Sequence, residues 1–194
     1  MSFKNTVATK VLKVVKGKSY INNPQAYWDK RGLTYYRDTQ GIGLWKKEAL
    51  LHQIALLAPE TVLEVGCGYG RILQSVEKFH GIKRSAGADF SQSMLNEARK
   101  HCKSELILAD VTKGLPFKDE EFDLVYTFGV IMHIPPQRHS LAILEISRVA
   151  KYVIVHYELP VKNGWHCYNY DNAEMYRNLG LRVQKHDNIL VVLK

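Results

Sequence analysis

Residues 62–71 read Val-Leu-Glu-Val-Gly-Cys-Gly-Tyr-Gly-Arg. Val62, Leu63 and Val65 have the apolar, β-branched character of a buried parallel strand. Gly66, Gly68 and Gly70 follow at every second position, and then Ile72, Leu73, Val76 and Phe79 recur at helical spacing. A strand that turns through glycines into a helix lets backbone come very close to a ligand, and the helix start behind the loop favours negative charge. Glu64 is an acid inside an otherwise apolar strand. A buried carboxylate is costly unless it is paired, so a cationic or hydrogen-bonding partner is expected above the loop.

The glycine spacing separates two ligands. The dinucleotide fingerprint is G-x-G-x-x-G, with its third glycine serving helix–strand packing. Here the pattern is E-x-G-x-G-x-G, which argues against a dehydrogenase. It resembles motif I of the class I S-adenosylmethionine-dependent methyltransferases. The resemblance implies that Glu64, Gly66, Cys67, Gly68 and Gly70 wrap the amino-acid end and ribose of S-adenosylmethionine, with S-adenosylhomocysteine as product. Cys67 is read only as the small residue the loop needs.

Three further runs extend the match to about residues 62–135. A short strand over 84–89 ends in Asp89, roughly 20 residues past the glycines, the offset at which an acid meets ribose hydroxyls. Phe90 is placed to lie against an adenine face, and Ser91 suits the N-cap of a helix carrying Met94, Leu95 and Ala98. This run resembles motif II. A third strand is expected over 106–111. In the family the acid here, Asp110, accepts from the adenine amino group, and the backbone amide of Val111 reads a ring nitrogen. A fourth strand over 122–129 ends in Phe128-Gly129 and resembles motif IV, whose end faces the reacting methyl group.

Residues 46–58 form a helix by pattern and propensity. Pro135-Pro136 suits a helix start, Tyr152–Val155 a fifth strand, and Asp171–Leu179 a helix stopped by Gly180. Residues 181–183 and 189–193 pair as a closing hairpin. The resemblance therefore implies an α/β, Rossmann-like fold: a seven-stranded, mostly parallel sheet with helices on both faces and one antiparallel strand in a C-terminal hairpin. Residues 1–45 are expected to be a basic, aromatic lead-in and lid, and 46–194 the methyltransferase domain.

The chain has 194 residues, three scattered cysteines and a net charge of +8. That length suits one domain, and the cysteines suit a reducing cytoplasm. No apolar run reaches the ~18 residues of a membrane helix, and no secretory signal is expected. Residues 1–28 carry five lysines and no acid. This segment reads as a solvated lead-in, with peripheral contact to a membrane surface as the sharper alternative. The aromatic-rich stretch behind it supplies the lid candidates Tyr27, Trp28, Arg31, Tyr35, Tyr36 and Arg37. Its cations are suited to a carboxylate or an acidic substrate.

Methyl transfer needs an in-line acceptor, exclusion of water and, for a hydroxyl acceptor, removal of its proton. His133, a few residues past the fourth strand, is the first candidate base. His156, Tyr157 and Glu158, after the fifth strand, form a second candidate catalytic group, and His166, Tyr168 and Tyr170 are candidate substrate contacts. His133, His139, His156 and His166 lack the spacing of a metal site, so no metal is expected. Ile134-Pro135-Pro136-Gln137 lacks the acid and the aromatic of the adenine N-methylase tetrapeptide, and no Pro-Cys nucleophile exists. Both points argue against base methylation. The expected acceptor is a small molecule, with O-methylation of a sugar, a glycan precursor or another metabolite preferred. An RNA or protein acceptor, kept open by the basic N-terminus, and an inactive cofactor-binding partner subunit are the alternatives. Oligomeric state is not legible.

Overall fold

A computed structural model describes residues 23–39, 44–158 and 167–194. The basic segment 1–22 and His166 lie outside the described residues. The element order is α1 (Pro24–Thr39), α2 (Leu44–Leu57), β1 (Thr61–Val65), α3 (Leu73–Val76), β2 (Arg84–Asp89), α4 (Gln92–Ala98), β3 (Glu105–Leu108), β4 (Phe122–Phe128), a 3₁₀ turn (Ile131–His133), α5 (Pro136–Val149), β5 (Ala150–Tyr157), α6 (Asn172–Asn178), β6 (Arg182–His186) and β7 (Ile189–Leu193).

The seven strands form one sheet in the order β3-β2-β1-β4-β5-β7-β6. The first five are mutually parallel, and β7 runs antiparallel to both of its neighbours. This is the expected Rossmann-like architecture with its closing hairpin. Asp187, at φ 50°, turns that hairpin. Chain order reverses between β1 and β4, and the strand ends there leave the crevice where open α/β sheets bind ligands.

The two-residue strand period sorts side chains onto the two faces. Leu63, Val65, Val125 and Ile154 face α5 and α6 in one core. Val62, Leu124, Tyr126 and Val155 face Leu50 and Ile54 of α2 in the other. Parallel strands buried on both faces read as the near-continuous apolar runs of β1 and β4.

Three local expectations change. The aromatic stretch read as a lid with no helix assigned forms a full helix, α1, whose first turn is capped by Asn23: its Oδ1 accepts the Ala26 N–H at 2.9 Å. The helix expected to run from Ile72 to Phe79 is a single α-turn. Beyond it the chain tightens to three-residue bonds, Lys78 N–H to Ser75 O and Phe79 N–H to Val76 O. The third strand stops at Leu108 rather than 111, because Asp110 Oδ1 accepts from Thr112 N–H (3.0 Å) and Thr112 Oγ1–H (2.8 Å) and turns the chain.

Candidate active site

The glycine loop is set by backbone. Gly66, Gly68 and Gly70 all take positive φ, at 74°, 54° and 79°. A Cβ at Gly66 would collide with Val130, so the loop also needs glycine for close approach to the segment after β4. Gly66 N–H and Cys67 N–H both donate to Ala88 O, at 2.7 and 3.1 Å. Asp89 Oδ2 accepts the Gly68 N–H at 2.8 Å and Oδ1 accepts the Ser91 N–H at 2.9 Å. The acid that ends β2 thus braces the loop that ends β1. Ser91 caps α4, its hydroxyl accepting from Met94 N–H.

Above these strand ends lies a cavity of about 890 Å³. Of the twelve residues expected at a cofactor, eleven line it: Glu64, Gly66, Cys67, Gly68, Asp89, Phe90, Met94, Asp110, Val111, Phe128 and Gly129. Gly70 does not; it turns away, and a Cβ there would strike Cys102 Sγ. Val111 is buried. Among the lid and acceptor candidates, Trp28, Tyr35, His133 and Tyr168 line the same cavity. Trp28 sets its edge against His133 (centroids 5.2 Å) and Tyr35 sets its edge against Tyr69 (6.0 Å). The His133 Nδ1 lies 3.7 Å from Cys167 Sγ.

The other candidates sit elsewhere. Tyr27, Arg31, Tyr36 and Arg37 belong to α1 but do not line the cavity. Arg31 lies over the Tyr35 ring, and Tyr36 stacks on His101 (4.6 Å). Tyr170 stacks on His139 and donates its hydroxyl to Ile134 O at 2.5 Å. His156 is only 1% exposed, with Nδ1 on Thr127 Oγ1 (2.7 Å) and Nε2 on Tyr176 Oη (2.6 Å). Both of its nitrogens are engaged on the core side of the sheet. Tyr157 is buried and stacked on Phe128. Glu158 accepts from Asn172 Nδ2 (2.7 Å) and pairs with Lys185 (3.2 Å). His156, Tyr157 and Glu158 touch a separate small cavity of about 140 Å³, which shares Gly129 and Tyr168 with the large one. The sequence reading puts all three after the fifth strand, whereas His156 and Tyr157 are the last two residues of β5, paired on both sides in the sheet, and only Glu158 follows it.

Sequence reasoning passed over Tyr69 and Arg71, which flank Gly70, and Arg138 in the first turn of α5; all three line the large cavity. Tyr69 and Arg71 had a signal in their adjacency to the glycines. Arg138 had none beyond following Pro135-Pro136.

Burial dominates the electrostatics. It pushes the Glu64 carboxyl up to about 8, against the pull of the Tyr126 hydroxyl, which donates to Oε2 at 3.2 Å, and of the nearby Arg71 charge. Glu64 and Tyr126 are register partners on adjacent strands, so sheet pairing itself builds this contact. Asp89 is raised to about 6 by burial, against the backbone N–H groups of Ser91, Gly68 and Phe90. Burial also raises the Cys67 thiol far above its ordinary range, which leaves it an inert packing group. For Asp110 burial pulls upward too, but the Thr112 bonds and Lys113 outweigh it and hold the carboxyl low.

Residues 62–152 match the sequence model of a methyltransferase domain. That stretch resembles the methyltransferase domain of the class I S-adenosylmethionine-dependent enzymes. The chain is 32% identical over 89 residues to human probable tRNA methyltransferase 9B, a match covering 45% of this chain and 18% of that protein. It is 31% identical over 144 residues to a demethylmenaquinone methyltransferase of Lactiplantibacillus plantarum, covering 68% of this chain and 60% of the other. The chain thus spans only part of the curated relatives it matches. Among solved structures, the magnesium protoporphyrin IX methyltransferase of Synechocystis with bound S-adenosylmethionine superimposes with a TM-score of 0.71 over 92% of this chain and 97% of that one. Their identity is 16%, so this likeness is one of fold. Among the described residues, no helix is long and apolar enough to cross a membrane.

Proposed function

We propose that the chain transfers a methyl group from S-adenosylmethionine to a hydroxyl of a small-molecule acceptor such as a sugar, a glycan precursor or another metabolite. The observation that carries this reading is one large cavity that joins the glycine loop to an aromatic roof and a histidine. The cavity also fits the cofactor. At Gly68 a Cβ would meet only Met94 Sδ, at 4.0 Å, so the loop offers a smooth backbone wall where a ligand can press.

When bound, S-adenosylmethionine supplies an electrophilic methyl group on a sulfonium. Gly66–Gly68 would approach its amino-acid end through backbone. Asp89 retains lone pairs beyond the two it commits to the loop, enough for ribose hydroxyls. Phe90, Met94 and Val111 would hold the adenine, and Asp110 its amino group. Phe128 and Gly129 stand at the reacting end of β4. Trp28 and Tyr35 roof the cavity and would exclude water. Arg71 and Arg138 put two guanidinium groups in the lining, suited to a carboxylate or phosphate on cofactor or acceptor, while Lys113 pairs with Asp110 at 3.2 Å. His133 is proposed to take the acceptor hydroxyl proton on its imidazole ring. His156 is assigned a scaffolding role instead.

Calorimetric titration with S-adenosylhomocysteine, with NADH as control, tests this. Micromolar binding of the first alone is expected; a chain that binds neither breaks the reading. A second reading, an RNA acceptor, is favoured by the net charge of +8 and by the tRNA methyltransferase relative. Methyl incorporation into bulk tRNA that falls steeply with salt, and none into a sugar and phenol panel, would replace the first reading with the second.

A further inference from the structure

Helix α1 packs chiefly on α4, and its tie there is polar and specific. Asp29 Oδ1 accepts the Ser91 hydroxyl at 2.7 Å and faces Ser93 N–H at 3.3 Å. Ser93 Oγ–H returns a bond to the Asp29 carbonyl at 2.5 Å. One turn on, Gly32 presses on the same spot: a Cβ there would run into Ser93 Oγ and stand 2.9 Å from Met94 N. Ser91, wholly buried, passes the contact inward, since its N–H donates to Asp89 Oδ1 and Asp89 Oδ2 holds Gly68 N–H. An unbroken line, Asp29–Ser91–Asp89–Gly68, therefore joins the roof helix to the backbone of the glycine loop. Trp28, beside Asp29, and Tyr35, a turn and a half on, line the large cavity, so the seating of α1 also decides whether that cavity is roofed.

We propose that Asp29 is a positioning residue that couples the seating of α1 to the cofactor loop, so that ligand binding at the loop and closure of the roof favour each other. The inference rests on the methyltransferase reading. Its physical basis is linkage: a ligand that holds Gly68 and Asp89 in place stabilises the platform on which Asp29 docks, and a docked Asp29 stabilises the ligand site by the same factor. Networks joined through one buried hydroxyl respond as a unit rather than as separate bonds.

The test combines calorimetric titration of S-adenosylhomocysteine with amide hydrogen exchange over residues 24–39 of the full chain. In the unmodified protein the ligand should slow exchange across α1. Asp29→Ala should leave α1 exchanging fast with or without ligand and weaken binding about tenfold. Asp29→Asn keeps an acceptor oxygen for Ser91 and should recover affinity to within about twofold, an outcome that mere helix destabilisation would not give. Should Asp29→Ala fail to fold, Gly32→Ala unseats the helix by contact with Ser93 while leaving Asp29 in place, and the same weakening is expected. The coupling is overturned if α1 loosens in either variant while affinity stays within twofold, or if the ligand leaves α1 exchange unchanged in the unmodified chain. Absence of any binding to the unmodified protein is the distinct result that removes the methyltransferase reading, and the coupling with it.

Discussion

On the β1–β3 side, the cavity wall comes from three short runs, 64–72, 88–94 and 109–113, each at a strand end and much of it backbone or small residues. On the β4–β5 side the wall is built by 128–138 and Tyr168, and α1 reaches across from its seat on α4 to meet it through Trp28, segments joined only by folding. The first side is held by main-chain bonds, as when Ala88 O takes two N–H groups of the loop. The second is held by ring contacts such as Trp28 on His133. Backbone geometry is set by which residues tolerate positive φ, so it leaves a spacing in the sequence. Side-chain contacts between remote segments leave none.

The two histidines of the β4–β5 side give the sharpest way to break this comparison. His133→Ala should cut turnover ~10²–10⁴-fold with little change in S-adenosylhomocysteine affinity, if the acceptor side does the proton chemistry and the glycine side holds the cofactor. Steady-state kinetics beside calorimetry checks it, and equal loss in both would merge the two sides into one structural unit. His156→Ala should behave oppositely. It strands the Thr127 and Tyr176 hydroxyls in the core, so denaturant unfolding should show a loss of about 3 kcal/mol while His133-dependent chemistry survives in the folded fraction. A large turnover loss in His156→Ala at unchanged stability would move the base to β5.

A smaller effect marks the glycine side. The Glu64 carboxyl rises from its ordinary 4.5 to about 8 on folding. The folded chain therefore keeps a proton that the unfolded chain releases, and the resulting stability is full below about 4.5 and lost as pH rises through about 8. His156, lowered from 6.5 to about 3 by burial, works the other way: its contribution is present above 6.5 and lost as pH falls through about 3. The window above 6.5 isolates Glu64. There, unfolding free energy of the ligand-free protein should fall by about 1 kcal/mol per pH unit up to pH 8, and Glu64→Gln should flatten that slope. An unchanged slope in the variant would assign the effect to other groups.

Much of the sheet was legible. Parallel strands buried on both faces must be apolar runs, so β1, β4 and β5 announced themselves, and the hairpin turn at 187 followed from the polar break between two apolar segments. Helix α1 was not legible, because its apolar positions are aromatics facing a cavity and a neighbouring helix start rather than a continuous stripe. The truncation of α3 and β3 was hidden for a different reason. Local hydrogen bonds, three-residue bonds after Ser75 and the Asp110 turn, competed with periodicity and won.

The sequence by itself determined the fold family, the glycine turn and the acids at the ends of β1 and β2, because these depend on residue type at fixed short spacing. Only the tertiary structure decided that His133 meets the large cavity while His156 closes on Thr127 and Tyr176, that Tyr69, Arg71 and Arg138 join the lining, and that Asp29 reaches Ser91. The direction a side chain takes at a strand end depends on which neighbours fill the space around it, and those neighbours come from chain tens of residues away. For Asp29 and Ser91 the separation is 62 residues, and packing alone closes it to 2.7 Å.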